Sequence, residues 1–316
     1  MSATELPTNV VVVGSANVDI TCSVDRLPIG GETVMAAARR VGAGGKGANQ
    51  AVAAARSGAS TGLVCALGKD SEAELLRSEL GAAGVRIHAR RSAAPTGTAY
   101  ITVDAHGENS IVVAPGANAE LIGLQAEESN AVSGARVVLM QLETPLDTVR
   151  DVIATARAAD AVIVLNAAPF RALPAAVLND IDILIVNEHE AGELAASVAD
   201  GEDAGTPRLA TVTTLGGRGA VINGAGFREL LEADQVEVVD TTGAGDTFCG
   251  AFAAALAELR HVPRVSELVA AARFAMTAAT LAVQRSGAIA AIPSRAEVDA
   301  VLVGRGAGRS LAGERR

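Results

Sequence analysis

The densest chemistry in this sequence lies in Asp240-Thr241-Thr242-Gly243-Ala244-Gly245-Asp246-Thr247-Phe248-Cys249-Gly250. Gly243, Ala244 and Gly245 stand ahead of the most uniformly apolar helical stretch, Phe248–Leu259. Bare amides at a helix start form an anion site. Asp246, immediately behind them, is electrostatically odd as a phosphate ligand. It makes sense as a base that takes a proton from a nucleophile attacking that phosphate. The structural alternative is an ordinary Asp at a helix start.

Other blocks carry weaker signals. Gly42-Ala43-Gly44-Gly45-Lys46-Gly47-Ala48-Asn49-Gln50 contains a formal G-x-G-x-x-G, but it follows Ala36–Arg40, a poor buried strand, and lacks the acid a dinucleotide site needs about 20 residues on. Nor is it a Walker A loop, because Lys46 is followed by Gly47 and Arg40 occupies the first glycine position. It reads either as a turn into a helix or as a backbone that approaches a ligand, with Lys46 and Asn49 offering polar groups. Asn17 and Asp19 follow the first apolar run and suit vicinal hydroxyls, although such residues are common in turns. Glu143 ends Leu139-Met140-Gln141-Leu142 and equally fits a helix's first turn. Asn187 and Glu190 have capping-box spacing, and could also serve a nucleotide–magnesium unit. Thr214-Leu215-Gly216-Gly217-Arg218-Gly219 is a Gly-rich turn whose amides could wrap phosphate oxygens.

These groups need a scaffold. Short apolar runs at Val10–Gly14, Gly62–Leu67, Val137–Leu142, Ala161–Leu165, Ile181–Val186 and Ala210–Leu215 read as strands buried on both faces of a parallel sheet. Between them lie helical stretches such as Lys46–Ser57, Ser71–Ala83, Pro145–Ala158 and Gly245–Leu259. The alternation predicts an α/β fold with a doubly wound, mainly parallel sheet flanked by helices. Asp19–Val41 and Thr98–Val113 break it with extended segments and turns, which predicts a small accessory β-sheet, or lid. Such a sheet is too small to bury both faces alone, which points to a homodimer. The domain spans residues 10–303; residues 1–9 and the Gly/Arg-rich 304–316 are expected to be flexible termini.

Composition removes whole classes of function. Among 316 residues the net charge is −10, which argues against a general nucleic-acid or membrane surface. Aromatics are 2%, with no Trp, so a base-stacking platform is not expected. Cys22, Cys65 and Cys249 form no C-x-x-C pair, and a reducing cytoplasm fits them. His88, His106, His189 and His261 show no metal spacing. No basic leader and no run near 18 apolar residues suggests export or a membrane span.

Taken in order, Val13–Asp19, Gly42–Ala55, Met140–Glu143, Asn187-x-x-Glu190, Thr214–Gly219 and Asp240–Gly250 resemble the ribokinase (PfkB) family of carbohydrate kinases. The resemblance runs from about Val10 to Val303. It implies ATP-dependent phosphorylation of D-ribose at O5, with Asp246 as base and the Gly243–Gly245 amides stabilising the transferred group. Asn17, Asp19, Gly45, Lys46, Asn49 and Glu143 would hold the sugar. Asn187, Thr214, Leu215, Gly216, Gly217, Arg218 and Gly219 would contact ATP, with Gly245 at its phosphates and Met276 near its base. Glu190 would help to organise Mg2+, and Asp240, Thr242, Ala282, Arg285, Gly287 and the Ala291 region would surround a monovalent cation, K+. The lid would double as a dimer clasp. Three departures stand out. The stretch from Asn187 to Thr214 is short and lacks most of a helix, Met276 replaces a frequent polar residue, and Ala291 replaces a usual Ser. The competing functions are a related sugar or nucleoside kinase, or a non-catalytic sugar sensor; Asp246 together with the anion site argues against the sensor.

Overall fold

The computed structural model describes residues 8–199 and 205–313. In chain order the strands are β1 Val10–Val13, β2 Asn17–Ser23, β3 Ala38–Gly44, β4 Thr61–Leu67, β5 Val85–Arg91, β6 Gly97–Val103, β7 Asn109–Ala114, β8 Val137–Met140, β9 Val162–Asn166, β10 Ile183–Asn187, β11 Ala210–Thr214, β12 Ala220–Gly224 and β13 Phe227–Leu231. The helices are α1 Lys46–Arg56, α2 Ser71–Ala82, α3 Ala126–Ser133, α4 Leu146–Ala158, α5 Ala175–Asp180, α6 Glu188–Ala199, α7 Ala244–Ala257, α8 Val265–Ala282 and α9 Arg295–Gly313.

The main sheet has nine strands in the order β13-β12-β11-β10-β9-β8-β1-β4-β5. It is parallel from β5 to β11, and β12 and β13 close one edge as an antiparallel hairpin. The all-valine β1 shows why its run is continuously apolar. Val10 and Val12 pack into one core layer with α1, α7 and α8, while Val11 and Val13 pack into the other with α4 and α5. The doubly wound architecture read from the sequence is therefore the observed one.

The lid is a four-stranded sheet, β3-β2-β6-β7, built from the two stretches that break the alternation. Its central pair, β2 and β6, is parallel, and both outer pairs are antiparallel. Directly opposite residues share a face, so Thr21, Arg40, Ile101 and Ile111 form one side and Ile20, Val41, Tyr100 and Val112 the other.

Some elements differ from expectation. The edge strands β5 and β13 carry charged and half-exposed residues, and β12 ends in the half-buried Asn223 and Gly224, so none makes a continuous apolar run. Helix α9 continues through Gly304 to Gly313, within the terminus expected to be flexible. The buried Val298 and the core-packed Leu302 anchor its first part. Residues 1–7 and 314–316 lie outside the described residues. In the shortened segment, α6 keeps 12 residues after Asn187, and 200–204 again lie outside the description. Helix α8 is long and apolar enough to cross a membrane by composition, with a mean hydropathy of 1.3, but half of it is buried against the protein core. That is the pattern of a core helix.

Candidate active site

The chemistry gathers at the carboxyl ends of five neighbouring strands. Ser15 and Asn17 follow or begin beyond β1, Gln141 and Glu143 follow β8, Asn166 ends β9, Asn187 ends β10 and Thr214 ends β11. The sheet order reverses direction at β1, and ligands of open α/β sheets bind at such crevices. Two helix N-termini complete the site. Helix α1 starts after the lid strand β3, and α7 starts after Gly243, whose φ of 72° is the left-handed turn that favours glycine. A side chain at Gly250 would collide with the Gln50 carbonyl, so this glycine lets α7 lie tightly against α1.

That crossing delivers Asp246 to α1. Its Oδ2 accepts the Asn49 Nδ2 amide at 2.9 Å, and its Oδ1 accepts the Gln50 Nε2 amide at 2.9 Å. Asn49 Oδ1 is buried with no partner, an acceptor left open beside Asp246. Asp246, Lys46, Asn187, Glu190, Thr214, Gly243 and Gly245 line one cavity of about 140 Å³. Burial opposes the charge on Lys46, but Asp246, Glu143 and Glu190 outweigh it and raise its pKa. It is thus held as a cation in the cavity that Gly243 and Gly245 also line.

A larger cleft of about 920 Å³ lies under the lid, and Asp19 and Gly42 line it together with Asp240, Thr242 and Gly287. Burial, then Glu143 and Asp246, push the Asp19 carboxyl up to about 7. Glu143 Oε2 accepts the Lys46 amide at 3.2 Å and the Ser15 hydroxyl. Asn17 Oδ1 accepts Asn118 Nδ2 at 2.7 Å, and Gly45 lies against the Asn17 amide.

Asn187 and Glu190 realise their capping spacing in full. The Asn187 amide donates to Glu190 Oε2 and the Glu190 amide to Asn187 Oδ1, both at 2.8 Å. Both residues nevertheless line the small cavity. Burial raises the pKa of Glu190, with Asn187 and Lys46 opposing it in part. Leu215 and Gly219 close the Gly216–Arg218 turn, and Arg218 pairs with Glu188. Met276 is buried in the core layer beneath the sheet and does not line the small cavity. Among the residues expected around a cation, Asp240 accepts the amides of Thr242 and Gly287, and Val283 O accepts the Asp240 amide. Ala282 O takes the Arg285 amide at 3.0 Å, the Arg285 side chain pairs with Glu297, and Ala291 is buried in a short 3-10 turn. Among the described residues no cluster of three His, Cys, Asp or Glu side chains could hold a metal ion.

Residues 7–295 match the profile of the pfkB family carbohydrate kinases. The chain belongs to that family. It is 38% identical over 297 residues to the ribokinase of Bacillus subtilis, covering 93% of this chain and 99% of that protein. It is 36% identical to the ribokinase of Haemophilus influenzae, covering 90% and 95%. Among solved structures, Arabidopsis thaliana ribokinase complexed with ribose and ATP matches with a TM-score of 0.84 and 33% identity over 94% of this chain and 99% of that one. Thermotoga maritima ribokinase matches with a TM-score of 0.83 and 33% identity over 93% and 99%.

Sequence reasoning missed several residues of this pfkB-family site. Gln141 interrupts an apolar strand end, which was a usable signal, and Gln50 adjoins Asn49. Asn118 holds the Ala16 amide as well as Asn17, yet it stands 101 residues from Asn17, and no local pattern marks it. Ser15 and Asn166 are likewise visible only through their partners.

Proposed function

We propose that this kinase transfers the γ-phosphoryl group of ATP to the O5 hydroxyl of D-ribose, giving ADP and D-ribose 5-phosphate. The observation that carries the reading is the meeting of Asp246, Lys46 and the Gly243–Gly245 helix start in one cavity. The O5 proton passes to Asp246, a bond forms from O5 to the γ-phosphorus, and the bond to the bridging oxygen of ADP breaks. The amides of Gly243, Ala244 and Gly245 face charge on the transferred group. Asn17, Asp19, Gly45, Lys46, Asn49 and Glu143 hold the sugar. The unpartnered Asn49 Oδ1 is a fitting acceptor for a hydroxyl. Asn187 and the turn Thr214–Gly219 hold ATP, with Met276 behind its base. The substantial identity to ribokinases over nearly the whole chain supports ribose over other acceptors.

Glu190 fits a magnesium ion that is ligated mainly by water and nucleotide phosphates, since that ion needs few carboxylates from protein. When bound, it would neutralise phosphate charge. Asp240, with neutral carbonyls around Thr242, Ala282, Arg285, Gly287 and Ala291, is a donor set suited to a monovalent cation such as K+. The lid closes over the sugar and excludes water, and its outer face pairs with a second subunit.

A coupled ADP-release assay across ribose, deoxyribose, other pentoses, hexoses and nucleosides tests the reading. Ribose should give the highest kcat/KM. Faster turnover of another acceptor would reassign the substrate, and no sugar-dependent release would leave a binding protein.

A further inference from the structure

We propose that Gln50 is a positioning residue for phosphoryl transfer. Its side-chain amide, anchored by Gln141 and Asn166, aims the Asp246 carboxylate. The inference rests on Asp246 being the base.

Gln50 and Gln141 are both fully buried beneath the site. Buried amides are costly unless paired, and an apolar floor would be the cheaper packing. Here the amides form a chain of fixed polarity. A carboxylate offers only acceptors, so Gln50 must turn its NH2 toward Asp246. One N–H reaches Asp246 Oδ1 at 2.9 Å and the other Asn166 Oδ1 at 3.1 Å. That leaves Gln50 Oε1 to accept Gln141 Nε2 at 2.6 Å. Asn166 is pinned in turn, because its Nδ2 donates to the Ile185 carbonyl at 3.2 Å.

Gln141 commits its NH2 to Gln50 while its own Oε1 stays buried without a partner. The donor direction along Gln141, Gln50 and Asp246 is fixed by these bonds. The result ties the base to the ends of β8 and β9. Asn49 and Gln50, consecutive on α1, clamp the two carboxylate oxygens. Each oxygen keeps acceptor capacity for a sugar hydroxyl. Gln50 itself reaches the reaction only through Asp246, so its effect should fall on kcat.

The test measures kcat and both KM values for Gln50→Met, Gln50→Glu, Gln141→Met, the Gln50→Met/Gln141→Met double variant and Asp246→Asn. Misaimed reacting groups cost rate steeply, so Gln50→Met should lower kcat roughly 10–100-fold while KM for ribose and ATP stays within about threefold. Gln50→Glu keeps the shape but sets an acceptor against the carboxylate, and should lose at least as much. Gln141→Met should lower kcat by a smaller factor, roughly 3–10-fold, and should lose that effect in the Gln50→Met background.

Unchanged kcat in Gln50→Met, or a Gln141→Met effect that persists undiminished in the double variant, would overturn the proposal. If Gln50→Met does not fold, Gln50→Glu and Gln141→Met decide it alone, and unchanged kcat in both overturns it. Normal turnover in Asp246→Asn would remove the base reading and this proposal together. A dead Asp246→Asn beside normal Gln50 variants would remove this proposal only.

Discussion

The Asp240 carboxylate joins two loops 47 residues apart, accepting the Gly287 amide at 2.8 Å on Oδ2 and the Thr242 amide at 2.8 Å on Oδ1. Burial would raise its pKa, but the hydrogen bonds from Thr242 and Gly287, aided by Arg40, hold it below the ordinary value. A folded pKa below the unfolded one adds stability above the unfolded value, and that stability is lost as pH falls through the folded value. Asp240→Asn should therefore cost roughly 0.5–1.5 kcal/mol at neutral pH, because solvent screens this half-exposed carboxylate and leaves only part of the worth of hydrogen bonds to a charge. Denaturant titrations of both proteins check this. The gap should shrink as pH falls below about 4, the ordinary aspartate range; a gap that stays constant would mean the loss is one of shape.

Asp246→Asn keeps the shape of the side chain and the hydrogen bond to one of its two amide clamps. If Asp246 takes the O5 proton, kcat should fall roughly 10²–10⁴-fold. Ribose affinity by calorimetry should change far less. Near-normal turnover would remove Asp246 from the base role.

How much of this site was legible depended on whether a residue's task is local. Gly243–Asp246 announces itself because bare amides and a carboxylate stand in consecutive residues at a helix start. The lid was readable from broken alternation, and β1 from a four-valine run. The hairpin β12–β13 was not, because an edge pair needs no continuous apolar run. The supports of the site, Ser15, Asn118, Asn166 and Gln141, were hidden for another reason: each acts on a residue brought close only by sheet order. Nor could the sequence tell whether Asn187–Glu190 was a cap or a ligand pair. The geometry shows the cap formed by residues that also line the cavity.

Asp19, proposed to hold the sugar, also bears on stability. Its carboxyl is pushed up to about 7 by burial, then by Glu143 and Asp246. Between the ordinary aspartate value and about 7 the folded state holds a proton that the unfolded state has lost, so stability falls as pH rises through that window. Asp19→Asn should gain stability relative to the wild type as pH rises from about 4 to about 7, and then level off. Asp19→Ala should weaken ribose binding by roughly 1.5–3 kcal/mol with little effect on ATP. An unchanged ribose Kd would take Asp19 out of the sugar pocket. A stability difference that does not vary with pH would mean its carboxyl titrates normally.

The outer face of the lid carries an in-register row, Val41, Ile20, Tyr100 and Val112, across all four strands. Val41 is 41%, Tyr100 52% and Val112 65% exposed, with the half-buried Ile20 between Val41 and Tyr100, an apolar row on a sheet too thin to have a core of its own. A second lid would cover it. Sedimentation equilibrium should give a dimer at micromolar concentration, and Tyr100→Glu with Val112→Asp should give a monomer that keeps its fold by circular dichroism. A wild-type monomer with ribose bound would contradict this.

The loops that Asp240 joins also bear on ion dependence. Gly243 lies against Ala288, so the start of α7 and the 286–291 turn share a boundary. A cation held by the Asp240 carboxylate and neighbouring carbonyls would order Thr242–Gly245 without touching either reactant. Ala291 is buried, its amide bonds the Ala288 carbonyl, and it has no side-chain oxygen to offer. A carbonyl or water must stand in, which should weaken the ion's hold. Potassium should therefore raise kcat, and the activation should saturate at a lower concentration in Ala291→Ser than in the wild type. Potassium should also raise the melting midpoint with the same concentration dependence, because an ion that binds only the folded state stabilises it by mass action. Rates and melting curves in potassium, caesium, sodium and a large organic cation at fixed ionic strength separate specific binding from screening. Equal behaviour in all four would mean that no cation acts at Asp240. An unshifted potassium curve in Ala291→Ser would mean that position 291 contributes no ligand.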